Sequence, residues 1–209
     1  MAVPGSLPQR VFLLALDPDK GRARIGTNLG AMLRAAALAE LYVTGHLTDD
    51  GGRVVIKIRH SCHDPVLEAL LEEIAGSRPR TWQSWVDTRQ NAAISAVRLQ
   101  LSYGGWVRLE PHRVLGLFPV TRVFLRDPGV RKELLARVSA ALKTPVGRVD
   151  PADAALVAVV AAGNLGLALD RRTRRAEKRR IRDLTHLSGP IAPALHSSIR
   201  DAALGGEAA

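Results

Sequence analysis

The sequence predicts a mainly α-helical protein with short β-hairpins. Three observations carry this. Asp-Pro pairs open segments rich in apolar residues at Asp64-Pro65, Asp127-Pro128 and Asp150-Pro151, and a capping Asp followed by Pro in the first turn is a helix start. Leu29, Met32, Leu33, Ala36, Ala37 and Leu41 recur at helical spacing. The strand-like stretches are short and flank turn residues.

Residues 1–9 are expected to be a flexible tail, residues 10–200 a single domain, and residues 201–209 a frayed end. "RVFLLAL" followed by "DPDKG" reads as an apolar segment entering a turn at Pro18 and Gly21. "TNLGAMLRAAALAELYVTG" reads as a helix with Thr27 or Asn28 as cap and Gly45 as its stop. "HLTDDGGRVVIKI" then reads as a hairpin turning at Asp50-Gly51-Gly52, with Val54, Val55 and Ile56 on the return. "DPVLEALLEEIAG" is a helix capped by Asp64 and closed by Gly76. "RTWQSWVD" and "NAAISAVRLQLSYG" read as two further helical pieces. "GGWVRLEPHRVLGLFPVTR" reads as a second hairpin, turning at Glu110-Pro111-His112 and returning through Val114, Leu115, Leu117 and Phe118. Helices capped by Asp127 and Asp150 follow, then the basic segment "DRRTRRAEKRRIRD" and a helical end.

The two hairpins echo one another. "ELYVTGHLTDDGGRVVI" aligns without a gap on "QLSYGGWVRLEPHRVLG", matching Leu41 to Leu101, Gly45 to Gly105, Arg53 to Arg113 and Val54 to Val114. Both copies read helix, glycine stop, strand, turn, strand.

The chain has 209 residues, of which 46% are apolar but only 4% aromatic. It is long enough for a real core, which Leu, Val and Ala must fill. Thirty Lys and Arg against 20 Asp and Glu give a net charge of +10. Such a chain is drawn to polyanions, either nucleic acid or an anionic membrane surface. One cysteine, Cys62, excludes an internal disulfide and fits a reducing compartment. The start lacks the basic region of a signal peptide. The longest apolar stretch, 154–169, is interrupted by Asn164 and two glycines. It falls short of the ~20 residues of a spanning helix, so it is expected to lie inside the fold.

"RHSCHD" sets Cys62, His63 and Asp64 side by side. Catalytic partners must converge in space, and neighbours in sequence point apart. Nor do His60, Cys62 and His63 make up the four ligands of a structural zinc site. No phosphate loop, nucleophile elbow or HExxH motif is present. Neither an enzyme, a metal nor a cofactor is expected.

The basic segment carries Arg171, Arg172, Arg174, Arg175, Lys178, Arg179, Arg180 and Arg182. It reads either as a solvated helix whose long stems cover apolar neighbours or as a phosphate-attracting surface. The second hairpin has several readings. As the wing of a winged-helix nucleic-acid-binding protein it would need a basic tip and a polar recognition helix. The turn offers Glu110, Pro111 and His112, and "NAAISAVRLQLS" is mostly small and apolar, so nucleic acid is the weaker reading. Val114, Leu115, Leu117 and Phe118, bordered by Arg108, Arg113 and Arg122, would suit an anionic membrane interface. The same apolar surface would also make a soluble oligomeric scaffold, or simply pack on the domain.

Taken together, "LRAAALAELYVTGHL", "GWVRLEPHRVLGLFPVTR", "DPADAALVAVVAAG" and the Arg-rich helix resemble the Golgi phosphoprotein 3 family, over residues 10 to 188. The resemblance implies a central helical bundle wrapped by further helices, with short hairpins. It also implies a non-enzymatic peripheral membrane protein that binds phosphatidylinositol 4-phosphate and acts as an adaptor for client proteins. Such a protein works on the cytoplasmic side of the membrane, the Golgi in eukaryotic relatives. The family's head-group arginine in an "LRGG"-like context corresponds to Arg34 in "LRAA". Its tryptophan nine residues earlier corresponds to Ile25, and its two arginines three apart to Asn91 and Ile94; Arg89 and Arg98 lie near those positions and, with Arg34, are the expected head-group contacts, within reach of a phosphate. A phosphate monoester wants several converging donors. The substitutions therefore count against that particular lipid and leave general attraction to anionic phospholipid. The family's membrane-association and self-association hairpin falls on residues 110–121.

Overall fold

The computed structural model describes residues 2–17, 22–23, 28–59, 61–114 and 118–206; the side chains of 22–23, 112–114, 118–120 and 206 fall outside that description. The fold is mainly α, with ten α-helices among the described residues and three two-stranded antiparallel ribbons. Helix α1 (Leu7–Ala15) leads through β1 (Leu16–Asp17) and β2 (Arg22–Ala23) to α2 (Leu29–Val43). The hairpin β3 (Leu47–Asp50) and β4 (Arg53–Ile56) precedes α3 (Pro65–Ala75), α4 (Trp82–Asp87) and α5 (Gln90–Tyr103). The hairpin β5 (Val107–Val114) and β6 (Phe118–Leu125) leads to α6 (Pro128–Lys143) and α7 (Pro151–Ala162). Helices α8 (Arg171–Ala176), α9 (Lys178–Leu187) and α10 (Ile191–Gly206) complete the chain.

Two helices form the centre. In α2 the run Leu29–Ala39 and Leu41 are buried, and in α7 the run Ala154–Val160 is buried. A helix apolar on every side is stable only when enclosed. Accordingly α2 is packed by α1, α3, α4, α5, α7 and α10, and α7 by α1, α2, α6, α9 and α10. Alanines let these helices approach closely. No helix among the described residues is long and apolar enough to cross a membrane.

The three Asp-Pro starts fold as read. Asp64 accepts from the Val66 and Leu67 amides, Asp127 from Gly129 and Asp150 from Ala152. Each satisfies amides that lack a partner within the helix. The expected tail is corrected in part: Leu7, Pro8 and Gln9 form the first turn of α1 and are buried. Glu40 on α2 holds that turn, accepting from the Leu7 amide at 2.6 Å. At the other end, Asp201–Gly206 continue α10 rather than beginning a frayed end.

The echo between the two halves is real at the helix stops. Thr44, Gly45 and His46 amides donate to the Glu40, Tyr42 and Leu41 carbonyls, while Gly104, Gly105 and Trp106 donate to Gln100, Ser102 and Leu101. Gly45 and Gly105 both have positive φ, as this helix ending requires. The hairpins themselves diverge. The first turns at Gly51-Gly52. The second does not turn at Glu110-Pro111-His112: β5 runs on through Val114, and Pro111 pairs with Thr121. A two-stranded ribbon has two open edges, where a proline without an N–H is tolerated. Arg53 therefore stands on a returning strand and Arg113 on an outgoing one.

Candidate functional site

Helices α2, α3 and α5 meet around a cavity of about 150 Å³. From α2 comes Arg34, only 6% exposed. Its Nε donates to the Trp85 carbonyl at 3.1 Å and its Nη1 to Glu73 Oε2 at 3.1 Å. Its Nη2 is buried without a hydrogen-bond partner. From α3 comes Glu73, one turn beyond Leu70, which anchors that face of the helix in the core. Arg89 precedes α5 as its N-terminal cap residue, with φ 51° and ψ 35°. Its side chain is 69% exposed, and its Nε lies 3.7 Å from Glu73 Oε1. The rest of the wall is largely apolar, including Leu33, Val66, Leu70 and Ala93.

Burial lowers the Arg34 pKa; Glu73 acts in the opposite sense, and Arg89 adds to the lowering. A guanidinium nevertheless stays charged at any ordinary pH. The site is thus two fixed positive charges sharing one carboxylate. Chemically it can offer charge-assisted hydrogen bonds to an anion at the mouth and apolar wall behind it.

Of the anticipated head-group residues, the structure brings Arg34 and Arg89 together; Arg98, half-buried on α5, is not part of the cavity wall. Asn91 is exposed, Ile94 packs against the core, and neither lines the cavity. Ile25 lies outside the described residues. Sequence reasoning missed Glu73. The signal was present: Leu67, Leu70, Leu71 and Ile74 define the buried face of α3, and Glu73 stands at its border.

The second hairpin is anchored at its base, where Val107 and Val123 are buried. Arg108 pairs with Glu110 at 2.6 Å and lies over the Phe124 ring. Val114 and Phe118 are directly paired across the ribbon, so Val114 closes the outgoing strand instead of opening the return. Leu115 and Leu117 fall outside the described residues.

The basic segment divides into two helices. Arg171, Arg172, Arg175, Lys178, Arg179 and Arg182 are exposed, whereas Arg174 and Arg180 are half-buried. Arg180 is structural: its guanidinium donates to the Ala141 and Thr144 carbonyls at the end of α6. The "RHSCHD" stretch is described only in part. His60 lies outside the described residues, Asp64 caps α3, and the Cys62 thiol is pushed up to about 11 by burial and by Glu68, the reverse of an activated nucleophile. Among the described residues no cluster of His, Cys, Asp or Glu could hold a metal.

No curated protein matches the chain. The family model described as Golgi phosphoprotein 3 (GPP34) matches residues 7–202. That span takes in every helix from α1 to most of α10, including all three that build the Arg34 cavity. The chain belongs to the Golgi phosphoprotein 3 family.

Proposed function

We propose that this protein binds the surface of membranes containing anionic phospholipid, holding a lipid head group at the Arg34–Arg89 cavity. The observation that carries the reading is the convergence of those two arginines on a partly apolar cavity between α2, α3 and α5. Glu73 leaves the three charges with a sum of +1. With Arg34 already donating to Glu73 and the Trp85 carbonyl, few donors stay free for a phosphate monoester, which counts against phosphatidylinositol 4-phosphate more than against a phosphodiester. The exposed cations of α8 and α9 supply longer-range attraction, each contributing on the order of 1 kcal/mol near an anionic bilayer. The second hairpin adds apolar contact, because a basic patch alone anchors weakly. In this reading the protein works at the cytoplasmic face of a membrane as a non-enzymatic adaptor for client proteins, and residues 110–121 serve membrane contact or self-association.

Vesicle flotation tests it. Phosphatidylcholine vesicles should leave the protein behind; phosphatidylcholine with phosphatidylglycerol should float it. Adding phosphatidylinositol 4-phosphate at matched surface charge should gain little. A DNA mobility-shift at the same salt concentration runs beside it. Tight DNA binding with no response to lipid charge would replace this reading with the nucleic-acid one.

A further inference from the structure

The outer face of α5 carries an apolar stripe. Ala92, Ala96, Leu99 and Tyr103 are all exposed, Leu99 by 50% and Tyr103 by 84%. Their spacing places them one above another on a helix. The helix contains no acidic residue, and Arg98 is its one charge. Two of the four, Ala92 and Ala96, also line the Arg34–Arg89 cavity. The stripe therefore starts at the cavity and runs outward along α5 for about 16 Å at ~1.5 Å per residue.

This geometry has a consequence for any lipid that keeps its acyl chains in a bilayer while its head group occupies the cavity. The bilayer surface must then lie across the cavity mouth, and the helix face leaving that mouth lies in the same interface. We propose that the Leu99–Tyr103 end of α5 dips into an anionic bilayer, as a membrane contact separate from the β5–β6 hairpin; this rests on the head-group reading of the cavity. Leu99 supplies apolar area. Tyr103 supplies an apolar ring with a phenol that suits the depth of the head groups. Charge favours a bilayer over a second copy as the occupant. The chain carries +10, and α5 offers no carboxylate to receive Arg98 or Arg89 of a facing copy.

The test uses the full chain with its one cysteine removed by Cys62→Ala and a new one introduced by Tyr103→Cys. That cysteine carries an environment-sensitive fluorophore. On phosphatidylcholine–phosphatidylglycerol vesicles the emission should shift to the blue and be quenched by spin-labelled lipid. On phosphatidylcholine alone neither should occur. Flotation is measured on the same samples. Protein that floats while its fluorophore remains in water overturns this inference and leaves the head-group reading standing; protein that does not float overturns that reading itself. A blue shift without vesicles that grows with protein concentration assigns the stripe to a second copy and also overturns the inference. Leu99→Ser with Tyr103→Ser, both at exposed positions, should keep the circular dichroism spectrum and weaken vesicle affinity about tenfold. Unchanged affinity would contradict the proposal.

Discussion

Glu40 is a half-buried carboxylate whose position on α2 lets it cap α1. Burial is the main cause that raises its pKa, to about 6. The Leu7 amide and Arg10 act in the opposite sense, and Asp64 adds to the rise. The unfolded chain therefore loses this proton at a lower pH than the folded one. The group's contribution to stability is complete below the ordinary carboxylate pKa and declines as pH rises towards 6, by about 2 kcal/mol. Glu40→Gln keeps an oxygen for the Leu7 amide and removes the titration. Urea midpoints of the wild type should fall between pH 4.5 and 6 relative to this variant; parallel profiles would refute it. Arg89 offers a second residue-scale experiment. It holds a left-handed backbone that costs a non-glycine residue about 1 kcal/mol. Arg89→Gly should leave stability equal or slightly higher while weakening binding to phosphatidylglycerol vesicles about fivefold. Arg34→Ala is the poorer probe of binding, since it strips a half-satisfied buried network and should cost about 3 kcal/mol in stability.

At the scale of elements, the cavity depends on how closely α2 approaches the start of α5. A Cβ at Gly30 would sit 2.5 Å from Gln90 Cβ and 2.8 Å from the Gln90 carbonyl oxygen, closer than atoms can come. Backbone cannot swing aside as a side chain can, so Gly30→Ala must separate the two helices. It should cost about 1–3 kcal/mol and, by displacing Arg89 from Glu73, weaken vesicle binding more than that loss of stability explains. Thermal melts and flotation on the same preparation check this, and a stable variant with intact binding would show that the cavity tolerates the shift. Gly30 also marks what the sequence could and could not disclose. The Asp-Pro caps, the glycine stops after α2 and α5, and the buried α7 are local signals and were legible. The close approach at Gly30 and the Glu73 bridge join residues 60 and 16 positions apart, and no local pattern encodes them. Pro111 misled for a related reason. Proline suggests a turn, and only the ribbon's open edge explains why it sits mid-strand.

For the molecule as a whole, a charge of +10 acts as a long-range field, and its cations do not all serve that field. On α9, Arg179 and Arg182 are exposed, while Arg180 is bound to the carbonyls that end α6. That end carries a partial negative charge, so Arg180 both satisfies acceptors and ties α9 to α6. These neighbours in sequence should separate cleanly in experiment. Arg180→Ala should lower stability by about 1–3 kcal/mol, because it leaves partly buried carbonyls unpaired. Arg179→Ala with Arg182→Ala should leave stability within about 0.5 kcal/mol, as exposed charges do. The double variant should lose vesicle affinity by roughly tenfold or more, from about 1 kcal/mol for each charge. It should also flatten the salt dependence of flotation, because fewer charges are left to screen. Should the double variant bind as the wild type does, with the same salt response, the basic helices would be a solvated surface whose stems cover the apolar face beneath them, and the membrane attraction would have to come from the α5 face, the second hairpin and the Arg34 cavity.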